Sequence, residues 1–138
     1  MKIFKVLSVF IFFVAAGLYI WVRSMKPSDD EMIKFQVTNI FHTISIYQKN
    51  HRDAWGSFIT DKRELLDPLT ENEIKDFNIY FSEKDLPEKI RDALAKDLMP
   101  SLDKDKYRII IVLKNGQDVL RIWYGDNSSK QFEIAPKK

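Results

Sequence analysis

Residues 6–22 read VLSVFIFFVAAGLYIWV, seventeen positions without a charge, and no other stretch of the chain restricts its folding so sharply. As a helix this run spans about 26 Å at ~1.5 Å per residue, close to the ~30 Å hydrocarbon core of a bilayer. Ile3 and Phe4 extend the apolar surface, and Lys5 and Arg23 are placed to snorkel toward the headgroups. Eleven of the seventeen residues are Val, Leu, Ile or Phe. At helix centres these favour insertion by roughly 3–7 kcal/mol in sum, which outweighs the small cost of Ser8 and Gly17. Tyr19 and Trp21 stand near the far end, where aromatic rings prefer the interface. The pattern predicts a transmembrane anchor over residues 1–24, with Val6, Phe10, Phe13, Leu18 and Trp21 among its lipid-facing side chains. Residues 25–138 remain for one folded domain.

A cleaved signal peptide is the competing reading, with Lys2 and Lys5 as its basic start and Ala15-Ala16-Gly17 as the cut. The apolar run continues through Leu18–Val22, where a polar mature chain would begin, and this favours a retained anchor. Basic residues bracket the run on both sides, with acidic residues following soon after Arg23 and Lys26. The positive-inside rule weighs the basic ones. A short cytoplasmic N-terminus and an extracytoplasmic C-terminal domain, periplasmic in a bacterium, is the simpler topology. The predicted location is therefore the cell membrane, crossed once, with the lipid bilayer as one partner.

The 138 residues include no cysteine, which removes disulfides, thiolate metal sites and a lipidated-cysteine anchor. The formal charge of +2 is carried by the membrane flanks: without Lys2, Lys5 and Arg23 the chain has 19 basic against 20 acidic side chains. Basic and acidic residues alternate, so the coherent positive patch a nucleic acid requires is missing. No nucleic-acid partner is expected.

Ser28-Asp29-Asp30-Glu31 has capping-box spacing and places acids in a first helical turn. Ile33, Val37, Ile40, Phe41, Ile44 and Tyr47 then recur at helical spacing, predicting an amphipathic helix from about Asp29 to about Asn50. Asp61–Glu64 and Thr70–Glu73 have the same capping spacing, ahead of Leu65-Leu66 and Ile74–Phe77, with Pro68 between them. A further helix is predicted from near Asp85, presenting Leu86, Ile90, Ala93, Leu94 and Leu98 on one face until Met99-Pro100. The last third is β. Tyr107–Leu113 is rich in β-branched residues, and Asn115-Gly116 is a strong two-residue hairpin signal. Pairing Lys114 with Gln117 places Ile109 and Ile111 on one face with Ile122 and Tyr124, and Arg108 opposite Trp123 as a cation–π pair. Gln131–Ala135 forms the third strand. The expected fold class is α+β: an N-terminal transmembrane helix, then a long amphipathic helix packed on a three-stranded antiparallel meander, with short helices between.

Chemistry-bearing residues are sparse. His51-Arg52-Asp53 has the wording of a kinase catalytic loop, but Phe58 stands where that loop needs Asn, so helix-end solvation accounts for it better. His42, beside the apolar stripe, reads as a packed or rim histidine. Asp103 and Asp105 open like a calcium loop, yet Arg108 replaces the required Gly and the match fails. Asp126, Asn127 and Ser128 carry oxygens suited to calcium in the last hairpin, and a plain turn accounts for them more simply. Trp55-Gly56-Ser57-Phe58 brings two large aromatics into a loop; packing is the default, and a partner-binding patch at Trp55 and Phe58 is the functional alternative. No motif names a reaction, so the expectation is a non-enzymatic protein without cofactor.

The order of parts resembles type IV pilins and the pseudopilins of type II secretion. The similar wording is Ile44-Ser45-Ile46-Tyr47-Gln48-Lys49-Asn50 at a helix end, followed by Arg63-Glu64-Leu65-Leu66 in the next segment, with Pro27 where such helices often kink. The Gly before a Phe-Thr-Leu-Ile-Glu-like start that a prepilin peptidase cuts is not present in Lys2-Ile3-Phe4-Lys5. The resemblance implies assembly by packing of N-terminal helices, hence self-association, and it would favour calcium in the last hairpin. The function expected from all this is an interaction or scaffold subunit of a cell-envelope assembly that engages a protein partner. The alternative is a bitopic accessory or inhibitor whose domain binds one soluble protein.

Overall fold

The computed structural model describes residue 11 and residues 13–16, 29–114 and 120–134. Of the expected anchor, Val6, Phe10, Leu18 and Trp21 lie outside the described residues, as do the capping Ser28 and the Asn115-Gly116 turn. The chain forms two compact units, Met1–Lys34 and Phe35–Lys138. In the first, residue 11 and residues 13–16 are helical, with Ile11, Phe13 and Val14 exposed. Among the described residues no helix is long and apolar enough to cross a membrane.

Helix α1 covers Asp29–Trp55, about 40 Å of helix at ~1.5 Å per residue. It runs five residues past the expected end at Asn50, because nothing between His51 and Trp55 breaks a helix. Gly56 stops it: its φ of 78° is left-handed, and its N–H donates to the Arg52 carbonyl at 2.7 Å. This is the glycine-terminated αL cap. In the second unit, α1 buries Val37, Ile40, Phe41, Ile44 and Gln48. Each buried apolar side chain of this size contributes roughly 1.5–3 kcal/mol.

Two short helices follow, α2 (Lys62–Leu66) and α3 (Glu71–Ile74). Asp61 caps α2 through the Arg63 N–H alone, whereas Thr70 and Glu73 form the full reciprocal capping box. The expected helical run to Phe77 does not form. After Ile74 the chain enters strand β1, Phe77–Tyr80. Phe77, Ile79 and Phe81 are buried while Asn78 and Tyr80 between them are less so, the two-residue alternation of a strand.

The sheet therefore has four strands, not three: β1, β2 (Arg108–Leu113), β3 (Ile122–Asp126) and β4 (Gln131–Ile134), antiparallel and in sequence order. The β2–β3 register also differs from the expected one. Ile109 faces Gly125, Ile111 faces Trp123 and Val112 faces Ile122, a shift of three residues that exchanges the faces of β3. Alternation in β2 could not have decided between the two, because Ile109, Ile110, Ile111 and Val112 are all buried. The adopted register places Gly125 under Phe41 of α1, where a Cβ would stand 2.5 Å from the ring.

One sheet face lies under α1, as the Phe41–Gly125 packing and a Gln131-to-Thr38 side-chain hydrogen bond of 3.3 Å show. The other face carries Ile110, Val112, Ile122 and Tyr124, which pack with Leu86, Ile90, Ala93 and Leu94. Those last four come from helix α3's successor in the chain, α4 (Glu88–Ala93), and its flanks. A 3-10 turn at Glu83–Asp85 precedes α4, and Pro87 is its N-cap, so the helix starts three residues later than expected. The second unit is thus an α+β layer structure: long helix, antiparallel sheet, short helix.

Arg108 does not meet Trp123. In the ladder it faces Asp126, and its Nη1 donates to the Asp97 and Met99 carbonyls at 3.0 and 3.2 Å. Arg121 takes the place over Trp123, 5.2 Å from the ring centre, and forms an ion pair of 3.0 Å with Glu133.

Candidate functional site

Where the chain leaves α1 it is tied back by four hydrogen bonds. The buried Gln48 amide accepts from the Ile59 N–H at 2.7 Å and donates to the Ile59 carbonyl at 3.1 Å. The Phe58 N–H donates to the Lys104 carbonyl at 2.9 Å. His51 donates from Nδ1 to the Ser57 carbonyl at 2.7 Å, which places the imidazole proton on that nitrogen. Together these turn Phe58 inward, leaving it 6% exposed, whereas Trp55 stays 76% exposed beside the His51 ring. The expected Trp55–Phe58 pair is therefore divided between surface and core. Of the two, Trp55 is the exposed one.

Phe58 meets Tyr107 edge-on, with ring centres 5.0 Å apart, and the two form the floor of a surface groove of about 390 Å³. The flank of α1 supplies one wall through His42, Ser45, Ile46, Lys49, Arg52 and Asp53. Asn127 and Ser129 of the β3–β4 turn supply the other. Burial raises the Tyr107 hydroxyl above the usual phenol range, an effect partly offset by its hydrogen bond with Ser45. Tyr107 therefore remains a neutral hydrogen-bonding group through the physiological range.

Two cations occupy the same flank at i, i+3. The Arg52 guanidinium lies over the Phe58 ring, 5.0 Å from its centre, a cation–π contact. Lys49 precedes it by three residues, and Asp53 stands four residues beyond Lys49. Among the described residues neither Lys49 nor Arg52 is in an ion pair. The arrangement offers positive donors, hydroxyl and amide groups opposite, and partly exposed apolar surface at Ile46.

Of the three hairpin residues considered for calcium, Asp126 and Ser128 hydrogen-bond to each other. The Asp126 carboxylate accepts from the Ser128 N–H at 2.9 Å and from the Ser128 hydroxyl, while Ser129 N–H donates to the Asp126 carbonyl at 3.0 Å with φ of 64°. This is an Asx turn. Asn127 lines the groove instead, and the register sets Asp126 beside Arg108. Among the described residues no group of three or more His, Asp or Glu is placed to hold a metal ion. Asp103 serves a second Asx turn: two backbone N–H donors, from Asp105 and Lys106 at 2.8 Å each, hold its carboxyl below the usual aspartate range.

Sequence reasoning passed over Lys49, Tyr107, Ser45 and Ser129, and assigned Arg52 to helix-end solvation. The spacing of Ser45, Lys49 and Arg52 puts them on one helix flank, but the floor and the opposite wall exist only once the sheet turn has come alongside. Comparison with known proteins finds no family model that matches the chain and no significant match among curated proteins or solved structures.

Proposed function

We propose that this protein is a membrane-tethered, non-enzymatic interaction subunit of a cell-envelope assembly, holding its α+β domain on the extracytoplasmic side. The observation that carries the reading is the seventeen-residue uncharged run at 6–22. The described part of that run is helical and leaves Phe13 69% exposed, an apolar side chain of the kind lipid covers. Further along, α1 presents Phe35 and Trp55 to the outside, apolar groups that a partner surface can cover. The pilin-like order of parts supports a scaffold role with self-association.

The second reading is a bitopic accessory or inhibitor that grips one soluble protein, and the groove beside Arg52 favours it. A photo-crosslinking residue at Trp55 in the full-length chain, expressed in a bacterial envelope, separates the two. A ladder of self-crosslinked species is expected for a scaffold; a single heterologous product would replace it with the accessory reading. Fractionation tests the tether itself. The full-length chain should stay with carbonate-washed membranes, and recovery of the uncut chain in a detergent-free soluble fraction would end both readings.

A further inference from the structure

We propose that the groove between α1 and the β3–β4 turn is a carboxylate-recognising peptide site, occupied by an acidic side chain or a free chain end of the protein partner. It rests on the interaction reading above and gives that interaction a chemistry. Arg52 carries the argument. Its guanidinium lies over the Phe58 ring, 5.0 Å from its centre, so a cation–π contact holds this fork of donors at the groove before a ligand arrives. A carboxylate matches such a fork bidentately. Lys49, on the same flank and without an ion-pair partner among the described residues, adds a second positive charge.

Asp53 sets the limit on what the cations attract. Lys49, Arg52 and Asp53 together give the groove one net positive formal charge. A single carboxylate is complementary to that balance. The remaining lining points to a polypeptide. Asn127 and Ser129 stand opposite the cations with amide and hydroxyl groups suited to a peptide backbone, and Ile46, 45% exposed, offers an apolar shelf for a neighbouring side chain. A volume of about 390 Å³ accommodates a few residues rather than a folded surface.

The test uses the full-length, 15N-labelled chain in detergent micelles and four probes. An acetylated, amidated Ala-Leu-Glu-Ala peptide and an acetylated Ala-Leu-Gln-Ala peptide with a free C-terminus each present one carboxylate. The doubly blocked Ala-Leu-Gln-Ala peptide presents none, and inorganic phosphate presents an anion without a chain. Amide shifts at Ser45, Lys49, Arg52 and Ser129 are expected with the first two, and whichever binds tighter identifies the side-chain or the chain-end source. Arg52→Gln, on an exposed side chain, should weaken binding about tenfold with an unchanged melting temperature, and Lys49→Gln should weaken it less. Equal shifts with the doubly blocked peptide, or no shifts with either carboxylate, would overturn the site. Phosphate binding as tightly as the peptides would overturn it in favour of a plain anion site. A protein crosslinked at Trp55 while the groove binds no carboxylate would sink the groove assignment and leave the interaction reading standing.

Discussion

Gln48 is the single polar side chain among the buried residues of the described chain, and its two hydrogen bonds to Ile59 replace a pair of backbone bonds that the turning chain cannot make for itself. Leucine at 48 would preserve volume and remove both partners. An unsatisfied buried donor or acceptor costs about 1–3 kcal/mol, so Gln48→Leu should destabilise the domain by at least ~2 kcal/mol, read as a lower urea midpoint with an unchanged slope. An unchanged midpoint would mean that the Ile59 backbone reaches water, and that Gln48 is not what fixes Phe58. Gly125 makes the opposite demand, for space. An added Cβ would meet Phe41 Cε1 at 2.5 Å and Cδ1 at 2.7 Å, and the ring is enclosed on α1. Gly125→Ala should cost about 1–3 kcal/mol through overpacking, and Phe41→Leu in the same chain should recover part of it. If the double variant melted no higher than Gly125→Ala alone, the Phe41 contact would not be what sets the β2–β3 register.

Elements were legible where one period dominated. The stripe Val37, Ile40, Phe41, Ile44 is buried as its spacing predicts, whereas of the helical face expected from Leu86 to Leu98 only Ile90 and Ala93 lie in the helix, with Leu86 and Leu94 packing from its flanks. Thr70–Glu73 closes its capping box because that motif depends on four adjacent residues and nothing else. The failures share a cause. In Phe77–Phe81 the strand alternation was present, but the capping signal at Thr70 drew Phe77 into a helix that stops at Ile74. In β2 both faces are buried, so the sequence carries no preference of face, and the register answers to α1 through Gly125. Gln48 continues the stripe four residues beyond Ile44, a position whose polarity hid its burial. The groove was the least legible feature, since its cations, floor and far wall come from α1, the segment after it, β2's entry and the last turn.

At the scale of the folded unit, the two-sided cover of the sheet decides where stability concentrates. β2 is flanked by β1 and β3, lies under α1 on one face and over the α4 layer on the other, and its residues Ile109–Val112 are each at most 3% exposed. Opening a β2 amide therefore requires the layers to separate, which makes its exchange a global event. β4 ends the sheet order and has three of its four residues exposed, including Phe132 stacked on Tyr124. An edge strand of this kind opens locally. Hydrogen exchange on the full-length chain in micelles should find the Ile109–Val112 amides the slowest and those of Gln131–Ile134 faster by at least about a hundredfold, equivalent to roughly 3 kcal/mol of local opening. The comparison also bears on assembly, because an exposed edge is a place where another chain adds a strand. Protection of β4 that rises with protein concentration would locate self-association at this edge. Protection equal to that of β2 even at high dilution would contradict the burial pattern on which the layer arrangement rests.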